Sequence, residues 1–163
     1  MTKKYLSSKK ILTILQETPP RLAELTAGLT AAQLHTAPSD GEWSVNEVLA
    51  HLRACSDVWG DKYIATILVE EQPTIRAINP RTWIKKTDYL TQKFHVSLRA
   101  FTEQRKRLLA KLELLPPADW LRTNTLVGAG RPLQQTLISH ADGLARHERA
   151  HLKQIARIIS ALQ

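Results

Sequence analysis

The stretch Pro132–Gln163, PLQQTLISHADGLARHERAHLKQIARIISALQ, decides how this chain folds. Its apolar positions recur at alternating three- and four-residue steps, the spacing that lines one face of an α-helix. They are Leu133, Leu137, His140, Leu144, His147, His151, Ile155, Ile158 and Leu162. Burying an imidazole without hydrogen-bond partners costs on the order of a few kcal/mol. A bound metal ion is the simplest reason for three histidines on a face that should enter the core.

Composition predicts one globular domain spanning residues 1–163. The chain has 163 residues, of which 43% are hydrophobic, enough for one sizeable core. No apolar run approaches the roughly 20 residues that span a bilayer. The basic start, Met1–Lys10, leads into an apolar run too short for a secretory signal. Because Cys55 is the only cysteine, no internal disulfide forms, and we expect a cytoplasmic protein.

The basic charge raises the question of a nucleic-acid partner. The chain carries 23 Lys and Arg against 15 Asp and Glu, a net charge of +8. The cations are scattered, whereas nucleic-acid binders gather them in blocks with interleaved aromatic residues. They include Lys3, Lys4, Lys9, Lys10, Lys85, Lys86, Arg105, Lys106 and Arg107. We therefore expect a solvated basic surface and a small-molecule substrate, without a nucleic-acid or membrane partner; a modest positive field favours small anionic ligands.

Helix signals organise the N-terminal part of the chain. A first helix is expected over Ile11–Leu29, with Pro19-Pro20 interrupting or restarting it, and a short turn at Thr30–Leu34. Ser44 and Glu47 form the pattern of a capping box, in which each side chain satisfies a backbone amide of the other. This pattern predicts a strong helix start.

The rest of the chain predicts further helices and no sheet. The capped helix is expected to span Val45 to about Glu71, and the segment Gln72–Lys86 is irregular. A third long helix follows over about Thr87–Leu114, and the final helix begins at or near Pro132. Four long amphipathic helices favour an all-α bundle, an architecture whose core commonly holds metal sites.

The sequence H147ERAH151 matches the H-E-x-x-H pattern of zinc proteases, but the context argues against that activity. Such enzymes take a third ligand from downstream, whereas the twelve residues after His151 contain no His, Asp, Glu or Cys. The extended form of the motif is also absent, because Gln154 stands where glycine is required. A third ligand must therefore come from upstream.

Histidine and cysteine supply the upstream candidates. They are His35, His51, Cys55, His95 and His140. His51 is favoured because it lies near the start of the capped helix, at the border of its buried face. Cys55 is more readily explained as a small core residue. His140 lies two turns before His147, too far along the axis to share one ion, and is a candidate for supporting a ligand or lining the cavity.

Three imidazoles leave one coordination position open, which is typical of catalytic sites. Glu148 is the candidate general base, but one residue of helix turns it about 100° from His147, so an outward salt bridge is the alternative. The tryptophans are candidate cavity walls, with a plain core role as the alternative. They are Trp43, Trp59, Trp83 and Trp120.

Two motifs carry a resemblance to a known family. The stretch Gly41–Leu52, GEWSVNEVLAHL, resembles the G-x-W-S-x-x-E-x-x-x-H-L signature of the DinB-like (DinB/YfiT) proteins. The stretch His147–Ile155, HERAHLKQI, resembles their closing H-x-x-x-H-x-x-Q-I helix. Similar stretches at Asn79–Trp83 and Arg131–Leu137 extend the resemblance over most of the chain. It implies an all-α four-helix bundle of the up-down-down-up type, with short extra helical turns in the loops, often as a homodimer.

The resemblance also implies a divalent metal ion, Zn, Ni, Fe or Mn, held by His51, His147 and His151, the triad that the spacing favours. Characterised members include metal-dependent transferases that use a low-molecular-weight thiol, and related isomerases. The leading hypothesis is therefore a metal-dependent thiol transferase or hydrolase acting on a small electrophile. The alternative is a non-catalytic, metal-stabilised bundle that serves as a stress-related binding or dimerisation protein.

Overall fold

Four long helical segments build a bundle, and short elements fill the connections between them. The computed structural model describes residues 4–163, so Lys3 and the rest of the first three residues lie outside the described residues. The elements are α1 (Ser8–Thr26), α2 (Ala31–His35), α3 (Val45–Cys55), a π-helical segment (Ser56–Ile64), α4 (Ala65–Val69), β1 (Thr74–Arg76), α5 (Pro80–Trp83), a 3₁₀ turn (Ile84–Lys86), α6 (Phe94–Leu112), a 3₁₀ turn (Pro117–Leu121), β2 (Thr123–Val127), β3 (Leu133–Thr136) and α7 (Leu137–Leu162). No helix within residues 4–163 has the length and apolarity that a membrane span requires.

Helix α1 begins at a serine cap and runs through its prolines without a break. The Ser7 side chain accepts a hydrogen bond from the Lys10 amide, and Pro19 and Pro20 lie inside the helix. The expected interruption is absent because the helix is held by packing: it contacts α6 and α7, and Leu15 and Leu22 are fully buried. Tertiary contacts here outweigh the local cost of proline.

The capping box at the start of α3 forms as predicted. The Glu47 amide donates to Ser44 Oγ at 3.2 Å, and the Ser44 amide donates to Glu47 Oε2 at 2.7 Å. The helical path then continues through the π-helical segment to Val69, close to the expected end. At Gly60, an added Cβ would lie 3.3 Å from Leu108 Cδ2, so the bundle packs tightly there.

Two predicted helix starts are wrong, and for different reasons. Helix α6 begins at Phe94, well after the expected Thr87. The cause is Tyr89, which is held outside the helix by contacts with the capped helical segment: its hydroxyl donates to the Asp57 carboxylate at 2.7 Å, and its ring lies 3.8 Å from the Arg53 guanidinium carbon. Helix α7 begins after Thr136, whose side chain accepts from the Ser139 amide, and the residues before it form a strand.

The expectation of no sheet is wrong as well. Strand β1 pairs parallel to β2, and β2 pairs antiparallel to β3. Each strand has three to five residues. Such short strands contain too little alternation to be detected by period, and their pairing depends on the helices that bring them together.

Helices α6 and α7 both pack against α1 and against α3. Two apolar clusters fill the bundle: one includes Leu15 and Leu144, and the other includes Leu52 and Ile155. A buried ion pair between Arg105 and Glu148 accompanies them. Arg105 is only 2% exposed, so the expectation that it belongs to a solvated basic surface is wrong.

Candidate metal centre

Two helices bring three histidines to one point. His51 lies on α3, and His147 and His151 lie one turn apart on α7, which packs directly against α3. His147 Nε2 lies 3.1 Å from His51 Nε2 and 2.9 Å from His151 Nε2. One ligand nitrogen from each residue falls within 4.8 Å of the others. In a tetrahedral zinc site, ligand nitrogens at about 2.0–2.1 Å from the ion lie roughly 3.3 Å apart, which is close to these separations.

Hydrogen-bond accounting shows that the cluster fits a cation. Gln154 Oε1 accepts from His151 Nδ1 at 2.7 Å, so His151 Nε2 carries a lone pair. His147 Nε2 can carry either a hydrogen or a lone pair. If it carries a hydrogen and donates it to His151 Nε2, it cannot also accept a hydrogen bond from His51 Nε2. If it carries a lone pair and accepts from His51 Nε2, that lone pair faces the lone pair of His151 Nε2. At least one of the two short N···N contacts is therefore unsatisfied in neutral rings, and a metal ion shared by the three lone pairs removes this conflict.

Burial keeps the three imidazoles in the neutral form that metals require. Desolvation is the main cause: it lowers the pKa of His51 to about 4 and that of His147 to about 3, and it also lowers the pKa of His151. The mutual repulsion of the rings adds to the effect at His51 and His147. At neutral pH no proton therefore competes with a metal ion for these nitrogens.

The Cys55 thiol lies behind the histidines, on the core side. Its Sγ is 3.5 Å from His51 Nε2 and 4.0 Å from His147 Nε2, and the residue is fully buried. Burial, reinforced by the negative charge of Glu148, raises the pKa of the thiol, so it stays protonated. Cys55 combines the predicted core position with a contact to two candidate ligands.

An open cavity of about 910 Å³ lies over the three histidines. The Trp43 ring lies 5.1 Å from the His51 ring and stacks on His151 at 6.3 Å, and Trp59 meets His147 edge-on at 5.0 Å. The lining also contains polar and charged side chains from three parts of the chain. These are Glu42, Asn79, Arg81, Gln154 and Arg157. The cavity can therefore admit a small molecule to the face of the cluster.

Other predicted residues lie away from this cluster. His140 Nε2 contacts Asn124 Oδ1 at 2.9 Å, and its ring packs against Tyr63, so it has ordinary partners. Trp83 donates from Nε1 to the Asp57 carboxylate at 3.0 Å, and Trp120 is buried in the core. Neither tryptophan lines the cavity over the histidines, and His35 and His95 do not belong to the cluster.

Glu148 makes a salt bridge, but the bridge points into the core. Its side chain is fully buried, and Oε1 accepts from the Arg105 guanidinium, which also donates to Ser56 Oγ at 3.0 Å. Burial raises the pKa of Glu148, and the charge of Arg105 opposes that rise. Glu148 does not line the cavity, so the general-base role has no geometric support; the alternative was right about a salt bridge but wrong about its outward direction, because the bridge is buried.

Sequence reasoning did not identify the five polar residues of the cavity lining as site residues. Gln154 could have been found, because it follows His151 by three residues on a helix and therefore lies on the same face. Arg157 follows Gln154 by the same step. Arg81 lies on the short helix α5, whose place beside α3 depends on contacts between distant residues. No local sequence pattern therefore predicts that Arg81 lines the cavity.

Comparisons with known proteins agree with this architecture. The family model of the DinB superfamily matches residues 14–155. YfiT of Bacillus subtilis, named as a candidate metal-dependent hydrolase, is 28% identical over 156 residues, covering 91% of this chain and 83% of that protein. A Bacillus licheniformis protein with the same description is 30% identical over 148 residues, covering 86% of this chain and 82% of that protein.

Solved structures give the same result for the fold. The structure of YfiT from Bacillus subtilis, described as a four-helix bundle of unusual topology, superposes with a TM-score of 0.76 at 25% identity, covering 98% of this chain and 93% of that chain. A mycothiol-dependent maleylpyruvate isomerase superposes with a TM-score of 0.67 at 14% identity, covering 92% of this chain and 61% of that chain. The predicted four-helix bundle is confirmed, and the chain belongs to the DinB superfamily.

Proposed function

We propose that this protein is a metal-dependent enzyme that activates a thiol or water for attack on a small electrophilic substrate. His51, His147 and His151 hold the divalent metal ion through Nε2. The observation that carries the proposal is the meeting of these three nitrogens below an open cavity. A structural site fills all four positions with protein ligands, whereas three ligands below a cavity leave room for a reactant.

The residues around the cluster have distinct tasks in this proposal. When bound, the ion supplies Lewis-acid activation of water or a thiol near neutral pH. Gln154 holds the His151 ring by accepting from Nδ1, which keeps the Nε2 lone pair directed at the ion. The rings of Trp43 and Trp59 pack against the histidines and limit access of bulk water to the reacting atoms.

The thiol transferase branch of the proposal has its own support. One structural neighbour is a mycothiol-dependent isomerase, which gives a precedent for thiol chemistry on this fold. The proposal includes a low-molecular-weight thiol as co-substrate, a cytoplasmic location consistent with a single cysteine, and a homodimer, as the family resemblance implies.

Metal content tests the proposed centre directly. We expect near-stoichiometric Zn, Ni, Fe or Mn in the purified protein, and loss of that metal in His147→Ala, measured by elemental mass spectrometry. His140→Ala is the matched control, because it removes a buried histidine from the same helix outside the cluster. Equal metal loss in both folded variants, or metal retained in His147→Ala, contradicts the proposed ligand set.

Activity tests the enzymatic part separately. The metal-loaded protein is assayed with a panel of thiols and electrophiles, and with activated esters and amides in the absence of thiol. We expect turnover that His147→Ala abolishes. Full metal content and metal-dependent thermal stability without any turnover would instead support the non-catalytic bundle.

A further inference from the structure

The cavity over the histidines contains two arginines with no assigned task. Arg81 and Arg157 line it from α5 and from the C-terminal half of α7. Neither forms an ion pair within residues 4–163, although other arginines of the bundle do, such as Arg105 and Arg146. Exposed arginines are usually only solvated; these two differ because they line the same open cavity as the candidate metal ligands.

Arg81 is held in a defined place. The Asn79 side chain accepts from the Arg81 amide at 2.9 Å, and the next turn of the segment is tied to the bundle by the bond from Trp83 Nε1 to the Asp57 carboxylate. The Arg81 guanidinium carbon lies 5.4 Å from the Trp43 ring, which itself packs against His51 and His151. One aromatic ring therefore separates this cation from the metal ligands.

Arg157 supplies a second cation along the same wall. It lies six residues after His151 on α7, a rise of roughly 9 Å along the helix axis. Its position three residues after Gln154 places it beside the residue that holds the His151 ring. A ligand that reaches from the histidines toward Arg157 therefore needs a backbone of only a few atoms.

The side chains that line the cavity carry a net positive charge even before a metal ion is counted. Glu42 is the acidic residue of the lining, and its Oε2 is engaged by the Ser39 hydroxyl at 2.7 Å. Two guanidinium groups thus outnumber one carboxylate, and a divalent cation on the histidines would add to the same field. Guanidinium groups recognise carboxylate and phosphate oxygens through paired hydrogen bonds.

We infer that Arg81 and Arg157 form an anion subsite, and that the molecule processed at this centre carries a carboxylate or phosphate group a few atoms from its reacting end. The inference rests on the proposed function, since it names the substrate class of the same cavity. The expected ligands are therefore small acids, including thiols that carry an acidic group. Neutral molecules of the same shape should bind more weakly, because they gain no ion pair with the two guanidinium groups.

Equilibrium binding tests the subsite without any catalytic readout. The purified protein is titrated calorimetrically at low salt with glutarate, with glycerol 3-phosphate and with the neutral isostere glutaramide, and metal content is measured on the same samples. We expect glutarate or glycerol 3-phosphate to bind, glutaramide to bind more weakly, and Arg81→Gln and Arg157→Gln each to weaken acid binding about tenfold. The two acids distinguish a carboxylate from a phosphate preference.

Arg149→Gln is the matched control, because Arg149 is an exposed arginine of α7 that lines a different cavity. Unchanged affinity in this variant shows that position rather than net charge matters. The inference is overturned if Arg149→Gln weakens binding as much as Arg157→Gln, or if neither acid responds to Arg81→Gln and Arg157→Gln. The outcome is independent of the metal: protein without metal disproves the proposed function, yet its acid binding still reports on the two arginines.

Discussion

Replacing Glu148 with methionine should destabilise the protein strongly, because Arg105 would then be a buried charge without its carboxylate partner. The two side chains are 1% and 0% exposed. Removing one partner of a buried pair costs about 3–5 kcal/mol. For a domain of this size each kcal/mol lowers the melting temperature by roughly 2–4 °C, so Glu148→Met should lower it by roughly 6–20 °C.

The double variant Arg105→Met/Glu148→Met supplies the decisive comparison. It removes both charges and keeps similar volume, so most of the lost stability should return. Glu103→Gln is the surface control: Glu103 pairs with Lys106 on the same helix as Arg105, their side chains are 54% and 66% exposed, and the melting temperature should hardly change.

Thermal unfolding followed by circular dichroism, on protein stripped of metal with a chelator, measures these differences without a contribution from ion binding. A single variant that melts within about 2 °C of the starting protein would refute the reasoning, as would a double variant no more stable than Glu148→Met. The double variant also separates structure from chemistry: since Glu148 lies outside the cavity, it should retain its metal and its turnover.

Three further results are expected. Gln154→Leu removes the acceptor for His151 Nδ1 and should weaken metal binding about 10- to 100-fold in competition with a chromophoric chelator, whereas Gln154→Glu should preserve it. Gly143→Ala, with nothing within 4 Å of the new Cβ, should raise the free energy of unfolding by about 0.5–1 kcal/mol, whereas Gly60→Ala should be less favourable, because its new Cβ would lie 3.3 Å from Leu108 Cδ2; the opposite order would contradict the packing described at Gly60. Cobalt-substituted protein should lack sulfur-to-cobalt charge-transfer absorption, because the Cys55 sulfur does not belong to the group of candidate ligand atoms that lie within 4.8 Å of one another; a strong band would make Cys55 a ligand.

The sequence predicted those parts of the fold that local spacing determines. The capping box at Ser44 correctly predicted the first residue of α3, Val45. The four-residue step between His147 and His151 correctly placed both residues on one face of α7. Both features depend only on residues within one helical turn of each other, so they can be predicted without knowing how the helices pack together. The two motifs that resemble the DinB-like proteins supplied the link between the two helices.

Features that depend on contacts between distant residues were not predictable. Strand β3 replaced the expected first turn of α7 because its residues pair with β2, and Tyr89 left the helical pattern to bond Asp57, 32 positions earlier in the chain. Arg105 was expected on the surface because arginine is rarely buried without a charged partner, and the sequence alone does not show that Glu148 is that partner. Arg81 was missed because its place depends on how α5 docks against α3.

Some of the polar groups in the bundle interior lie beside the candidate metal centre. Glu148 follows the candidate ligand His147 and is bonded to Arg105, while the Cys55 thiol lies against two of the imidazoles. A buried ion pair adds little net stability over apolar residues of similar volume, so the pair between Arg105 and Glu148 is not needed to hold the bundle together. Cys55 lies on α3 and contacts His51 on the same helix and His147 on α7, so the thiol fills the core side of the three nitrogens, and their other side faces the cavity. Because the Cys55 thiol occupies the core side, the cavity side is the one from which a reactant could approach the three histidines.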